Sequence, residues 1–406
     1  MTAPVLATKA DQLKRLSVLI ATACIDMIGF AMVLPLMPFY AQRLHATPET
    51  IGWIIASYSI AQLLFSAVWG RVSDRYGRRP ALLVGLIASA CAYLVFGFAH
   101  AVWLLFASRI IQGAGGGTTG VAQAYVADTV GPEHRAQALG WLSAATSLGV
   151  MLGPVIGSLA HGLGPEAPGI VAAALCLLNV MFAWKWLPES RKPATGGPIR
   201  RRVPIFESIA MVIKQPRSPV PRLIWIYGAG MLGFTAMTAV LALFLGKEFG
   251  VTEKTIGYFF FYVGLLSLVM RSLLLGPIVR KIGEMGAMRA GTILLTVGLV
   301  LYPLAHQLWL LALVIPLVPI GTALLFPATT ALMTRATEHA ELGTTMGVAQ
   351  TFAGVARVIS PILATMAFQR YGSGMPFFLA AAVVAGVGVL AFRLPAPVAE
   401  PKAESA

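Results

Sequence analysis

Long apolar runs divide this chain into segments of about 20 residues, separated by short polar loops. A helix of that length crosses a hydrocarbon layer roughly 30 Å thick. Twelve runs can be placed: 17–41, 51–70, 81–99, 102–127, 138–160, 168–187, 223–246, 255–276, 289–305, 308–333, 344–367 and 374–393. The pattern predicts an all-α membrane protein with twelve transmembrane helices. Because the number is even, both termini are expected on one side.

Composition agrees with a membrane protein, since 57% of the residues are hydrophobic and only 11% are charged. Soluble domains carry about twice that share of charged residues. The loops leave no segment for a soluble catalytic domain, and the chain has no Gly-x-x-x-x-Gly-Lys-[Ser/Thr] phosphate-binding loop. We therefore expect neither an enzyme nor a protein with a cofactor or metal.

The basic residues that give the chain its net charge of +14 are divided unevenly between the two predicted sides of the membrane. Of the 30 Lys and Arg residues, 23 fall on the side that carries both termini, four on the other side and three within predicted helices. This asymmetry is the positive-inside rule, which predicts cytoplasmic termini and an inner-membrane location. The basic excess is thus explained without nucleic acid, and the expected partners are lipid, protons and a small substrate, with the protein acting as a monomer.

The two halves of the chain resemble each other. The segment 47–53 matches 252–258 at an offset of 205 residues, Gly70 and Gly77 match Gly276 and Gly283 at 206, and Gly153-Pro154 matches Ser360-Pro361 at 207. The repeat predicts two pseudo-symmetric six-helix bundles, residues 1–187 and 223–393, with a cytoplasmic linker 188–222 and a disordered tail 394–406. Parallel repeats of this kind hold a substrate site between the halves, near the membrane midplane.

Three local motifs carry a family resemblance. The loop 70–80 reads G-R-V-S-D-R-Y-G-R-R-P, the helix at 109–117 reads R-I-I-Q-G-A-G-G-G, and 149–158 reads G-V-M-L-G-P-V-I-G-S. Together they resemble the major facilitator superfamily, and within it the 12-helix drug:proton antiporters and bacterial tetracycline-type exporters. Those exporters also carry acidic residues in helices 3 and 9, where this chain has Ala92 and Leu295, so the drug itself is not implied.

The resemblance implies gating roles for the first and third motifs. In the loop, glycines permit a tight turn, and Asp74 can face a helix N-terminus of the other half. By resemblance, Asp128 joins a charge network with this loop, although a solvated helix-end residue is an equal alternative. Glycines four residues apart in the fifth predicted helix, 138–160, allow close contact with a neighbouring helix. The expected gating residues are Gly70, Asp74, Arg75, Gly77, Arg78, Asp128, Gly149, Gly153, Pro154 and Gly157.

Asp26 is the candidate for proton coupling. Of the 16 acidic residues, it alone falls deep within a predicted helix, and a buried carboxyl can be charged in one state and neutral in another. Arg109 and Gln112 in helix 4, which resembles the superfamily's proton-coupling helix, are possible partners. In the alternatives, Asp26 is permanently paired for structure, and Arg109 extends its charge to the membrane surface.

Two further arginines, Arg271 and Arg357, lie within predicted helices of the second half. Arg357 is near the middle of its helix, where an unpaired charge is costly. We expect it to face a substrate with an acidic or electronegative group, or else to pair with Asp26 or helix-end carbonyls. The aromatic residues Tyr58, Tyr227 and Tyr262 are candidates for lining the cavity.

The leading prediction is a proton-coupled secondary transporter that exports a small amphiphilic or drug-like molecule by alternating access. One alternative is an uptake or efflux carrier for an anionic metabolite, which would share most of these motifs. The other is a non-transporting sensor on the same fold. The retained charges Asp26 and Arg109 argue against a sensor, because a scaffold needs no ions within the bilayer.

Overall fold

The structure, a computed structural model, describes residues 9–131, 134–190, 210, 212–215, 218–338 and 341–393. The predicted tail and most of the predicted linker lie outside these residues. The longer helices are α1 Lys9–Val33, α2 Met37–Arg43, α3 Pro48–Tyr76, α4 Arg78–Gly97, α5 Val102–Gly115, α6 Thr118–Thr129, α7 Arg135–His161, α8 Ala167–Trp186, α9 Pro219–Phe249, α10 Ile256–Val269, α11 Leu275–Leu301, α12 Leu308–Val314, α13 Leu317–Ala336, α14 Leu342–Tyr371 and α15 Met375–Phe392.

Within the described residues, nine helices are long and apolar enough to cross a membrane, or ten if the bent α3 is one span. Two features explain why ten spans are counted when twelve were predicted. The predicted run 102–127 is divided into α5 and α6, which are 14 and 12 residues long and individually too short. Conversely, Ile256–Leu304 is a single helical stretch of 49 residues that contains two predicted runs. The all-α fold is confirmed, and twelve crossings are consistent with it.

Glycines with positive φ mark equivalent turns in the two halves. Gly77, at φ 103°, separates α3 from α4, and Gly283, at φ 72°, breaks the helical path inside α11. Only glycine adopts this backbone region without strain. Two helical segments therefore meet at a kink at Gly283 within α11, and the sequence repeat pairs this position with Gly77.

The helices pack mainly within each half of the chain. In the first half α1 lies against α7 and α8, α3 against α5, and α4 against α8; in the second half α9 lies against α14 and α15, and α11 against α13 and α15. Contact between the halves is made chiefly by α7 with α10 and by α3 with α14. These two helix pairs therefore border whatever space lies between the halves.

One end of the bundle carries the α3–α4 turn, the ends of α6 and α8, the start of α9 and the end of α15. The hydroxyl of Tyr125 in α6 donates to the carbonyl of Pro188 after α8, and Arg222 donates to the carbonyl of Arg393. We call this end the terminal side. The other end, with α2 and the starts of α3 and α10, is the opposite side.

Candidate functional site

On the opposite side, two crossed contacts close the space between the halves. A Cβ added at Gly257 in α10 would lie 2.6 Å from the Pro154 carbonyl oxygen in α7, and the Gly257 N–H donates to the Ser158 hydroxyl. A Cβ at Gly52 in α3 would lie 2.8 Å from the Pro361 carbonyl oxygen in α14. Only glycine allows backbones to approach this closely. The two contacts join equivalent positions of the sequence repeat, and each crosses from one half to the other. We call these two contacts the crossed seal.

Polar contacts supplement the crossed seal. Arg43 of the first half lies 2.7 Å from the Glu253 carboxylate of the second half, and the Glu49 N–H donates to the Gln369 side chain at 3.0 Å. Arg43 also contacts the ring of His161 at 3.2 Å. The opposite side is thus held shut by close backbone packing and by ion-pair and hydrogen-bond contacts across the halves.

Toward the terminal side the halves separate around three adjacent cavities, with volumes of about 720, 520 and 320 Å³. Thr119 lines all three, so they meet around this residue. The largest extends from Arg357 to Asp74 and Arg78 beside the α3–α4 turn. A Cβ added at Gly70, Gly120 or Gly347 would meet no atom within 4 Å. The space is therefore closed on the opposite side and open toward the terminal side.

Asp26 lies on the wall of the 520 Å³ cavity. Its side chain is nearly buried, with 9% of its surface exposed, and it accepts a hydrogen bond of 3.3 Å from the Thr118 hydroxyl. Within the part of the chain that the structure describes, no basic group lies within ion-pair distance of this carboxylate. Asp26 and Asp74 are the two carboxylates among the lining residues of the three cavities.

Arg109 and Gln112 are buried beside this cavity system but do not bond to Asp26. The Gln112 amide donates to the Tyr93 hydroxyl at 2.8 Å. Arg109 is only 1% exposed, and its Nε and Nη2 atoms have no hydrogen-bond partner among the described residues. It lines the 320 Å³ cavity. The structure thus brings Arg109 to the cavity as a cation that none of the described carboxylates pairs with.

Arg357 and Tyr58 line the same 320 Å³ cavity as Arg109, which we call the central cavity. The other predicted substrate residues lie elsewhere. Arg271 is exposed on a short π-helical segment, within electrostatic range of Tyr227. Tyr227 is buried against the ring of Phe326, and the Tyr262 hydroxyl donates to the Ala312 carbonyl in α12.

Comparison with known proteins agrees with this architecture. The Tetracycline resistance protein, class B, of Escherichia coli is 27% identical over 85% of this chain and 86% of that protein. The Multidrug resistance protein 1 of Bacillus subtilis (strain 168) is 28% identical over 94% of this chain and 97% of that protein. The structure of the human organic anion transporter MFSD10 (TETRAN) shares the fold, with a TM-score of 0.68 and 22% identity, over 94% of this chain and 99% of that one.

The family model of the Major Facilitator Superfamily matches residues 19–318 and 272–406, which together span most of the chain. The chain belongs to the Major Facilitator Superfamily. It is therefore a multi-pass membrane transporter, and its family is not one of enzymes. The resemblance drawn from the three motifs is confirmed at the level of this superfamily and its drug-resistance members.

In this major facilitator protein, the predicted charge network centres on Arg78. Its guanidinium lies 2.8 Å from Asp74 and 2.9 Å from Asp128, and it also donates to the Ser73 hydroxyl. Arg75 instead lies over the ring of Tyr76. All of these contacts stay within the first half, so in this state the network organises the α3–α4 turn.

The glycines of the 149–158 motif, which lie in α7, form a face against α1. A Cβ at Gly149, Gly153 or Gly157 would lie within 2.5 to 2.7 Å of backbone oxygens in α1. Pro154 is on another face of the same helix and contacts Gly257 across the halves. The motif therefore joins packing within one half to the crossed seal between halves.

Sequence reasoning missed several residues of the site. Glu189 accepts hydrogen bonds from the backbone N–H groups of Arg78 at 2.8 Å and Arg79 at 3.1 Å, so it caps the N-terminus of α4. An anion is favoured at this position by the helix dipole. Glu253, Ser158 and Thr365 were also missed, because their contacts join residues about 100 to 300 positions apart, and no local pattern reveals such pairs.

Proposed function

We propose that this transporter is a proton-coupled exporter of small amphiphilic, drug-like molecules that works by alternating access. The observation that carries the proposal is Asp26, a nearly buried carboxyl on the cavity wall with a hydroxyl neighbour and no basic partner within the described ranges. Such a group can take up a proton facing one side of the membrane and release it facing the other.

Export is favoured by two kinds of observation. The curated relatives named above are tetracycline and multidrug resistance proteins. In addition, the α7 motif around Gly153 and Pro154 resembles that of antiporters. The central cavity is lined by apolar and aromatic groups such as Phe30, Phe234 and Phe260. A volume of about 320 Å³ is at the lower end of the range for small-molecule sites.

The proposed cycle rocks the bundles 1–187 and 223–393 about the central cavity. Because most basic residues lie toward the terminal side, we assign that side to the cytoplasm of the cell membrane. The present state then admits substrate from the cytoplasm. Release on the other side requires the crossed seal to open while α3 and α14 approach each other near the charge network. The six-helix halves complete the site within one chain, so we propose a monomer.

The test compares two kinds of transport by Asp26→Asn in liposomes. A growth-inhibition panel of amphiphilic antibiotics and dyes selects the compound that the wild-type protein resists most. We expect Asp26→Asn to lose at least about tenfold of its pH-gradient-driven accumulation of that compound, because the amide cannot carry a proton. Substrate exchange without a pH gradient should persist in part. Glu166→Gln, an exposed carboxylate of the same half, is the control.

Accumulation by Asp26→Asn at the wild-type level under a pH gradient would show that Asp26 is not the coupling site. Loss of both accumulation and exchange, by protein that is inserted and stable, would also contradict the proposal. Asp26 would then be needed for binding or structure rather than for coupling.

The second candidate is a carrier for an anionic metabolite, favoured by the two arginines of the central cavity. The two functions differ in the sign of coupling. In proton–substrate exchange, protonation of Asp26 weakens substrate binding, whereas an anion that moves together with a proton binds more tightly when Asp26 is neutral. Substrate affinity measured at several pH values for the wild type and Asp26→Asn separates them.

A further inference from the structure

Two arginines from opposite halves face the central cavity. Arg109 comes from α5 in the first half and Arg357 from α14 in the second half. Both lie close enough to the Tyr58 hydroxyl to interact with it electrostatically. Asp26 also acts on that hydroxyl but is not among the groups that line this cavity. The two cations therefore line one cavity from different halves of the chain.

Arg109 lacks the partner that its burial requires. Its side chain is 1% exposed, and two of its three nitrogens, Nε and Nη2, are buried without a hydrogen-bond partner in the described part of the chain. An unpaired buried charge is strongly unfavourable, and guanidinium groups in such places are normally paired with carboxylate or phosphate oxygens. Among the residues that the structure describes, no carboxylate lines the central cavity. The missing anion is thus not supplied by the residues that surround Arg109 in this state.

Arg357 is half-buried, and its Nε makes only a long contact of 3.4 Å with the Ala353 carbonyl one turn earlier in α14. It lines both the central cavity and the 720 Å³ cavity that leads to the terminal side. A ligand moving inward from that side therefore passes Arg357 before it reaches Arg109. The remaining wall is mostly apolar, with Phe30, Leu34 and Phe234 among its side chains.

We propose that the central cavity binds an amphiphilic organic anion, with its acid group between Arg109 and Arg357 and its apolar body against the aromatic wall. The inference rests on the proposed function only in taking this cavity as the substrate site. A carboxylate accepts two hydrogen bonds from a guanidinium in a planar, directional arrangement. An anion held by both arginines would also bridge the two halves across the cavity, in addition to the crossed seal.

The experiment measures equilibrium binding to the purified full-length protein by calorimetry. The probes are 1-naphthylacetate, its neutral amide and 2-(1-naphthyl)ethylamine, which share an apolar body and differ in charge. We expect the carboxylate to bind about 10- to 100-fold more tightly than the amide or the amine, the gain of a charge-assisted hydrogen bond. Its affinity should also fall as salt is added.

Arg357→Gln and Arg109→Gln should each remove most of the preference for the carboxylate and leave amide binding unchanged, while Arg357→Lys should retain part of it. Arg370→Gln is the matched control, because it removes the same charge from an exposed position on the same helix. If Arg109→Gln fails to fold, the Arg357 variants alone decide the question.

Equal affinities for the three probes, no binding of any of them to folded protein, or an equal loss in Arg370→Gln would overturn the proposal. The measurement uses no pH gradient and no direction of transport. Its failure is therefore distinguishable from failure of proton-coupled export, which the Asp26→Asn experiment tests.

Discussion

Substitution of Gly257 tests whether the crossed seal sets the state of the transporter. An alanine Cβ there would lie 2.6 Å from the Pro154 carbonyl oxygen and 2.7 Å from the Ser158 hydroxyl oxygen. These distances are 0.8 and 0.7 Å shorter than the 3.4 Å at which ordinary van der Waals contact begins. Overpacking of this kind costs about 1–3 kcal/mol. Because α7 and α10 belong to different halves, the overlap is relieved when the opposite side opens.

We therefore expect Gly257→Ala to favour the state open to the opposite side by about 5- to 150-fold, the ratio that corresponds to 1–3 kcal/mol. The assay places one cysteine at Thr238, which lines the central cavity, in a protein whose native cysteines Cys24, Cys91 and Cys176 are serine. An impermeant thiol reagent is applied from the opposite side. Labelling of the Gly257→Ala protein should be faster by at least fivefold.

Gly386→Ala in α15 is the matched control, since a Cβ there meets no atom within 4 Å. Gly52→Ala should behave like Gly257→Ala, because its Cβ would overlap Thr365 and the Pro361 carbonyl. An unchanged labelling rate in stable Gly257→Ala protein would refute the reasoning. An equal acceleration in Gly386→Ala would attribute the effect to helix propensity rather than to the seal.

Two other predictions concern packing and charge. Gly153→Leu should abolish transport and lower the melting temperature, because its Cβ would lie 2.6 Å from a backbone oxygen of α1. Gly140→Leu on the same helix, where the added Cβ has open space, is the control and should be tolerated. Normal transport by Gly153→Leu would contradict the packing role. Arg78→Gln should lower the melting temperature more than Arg75→Gln, because Arg78 is largely buried between two carboxylates. Equal melting temperatures of the two variants would show that the charge network around Arg78 does not stabilise the protein.

The sequence was sufficient for the helices, because hydrocarbon requires long apolar runs with internally satisfied backbones. It also indicated equivalent turns at Gly77 and Gly283, where only glycine fits the backbone. Partnerships were harder to predict. Gln112 bonds to Tyr93 instead of Asp26, and no described carboxylate pairs with Arg109, because pairing depends on helix rotation and on the state of the transporter.

The predicted roles of Arg271, Tyr227 and Tyr262 illustrate the same difficulty. Each lies in an apolar run, and position along a run does not tell which face of a helix meets a cavity. Arg271 is exposed, while the two tyrosines pack or bond within the second half. Tyr58, by contrast, does line the central cavity with Arg109. Their roles in substrate binding stay predictions.

The crossed seal has the form of an isologous interface. Gly52 of the first repeat meets Pro361 of the second, and Gly257 of the second meets Pro154 of the first, so each surface is contacted by its own equivalent. Two-fold homodimers generate this arrangement from a single surface. The seal is thus what a dimer of identical six-helix proteins would carry at its interface. The two copies in this chain are not identical, and the hydroxyl beside each glycine belongs to Ser158 in one copy and to Thr365 in the other.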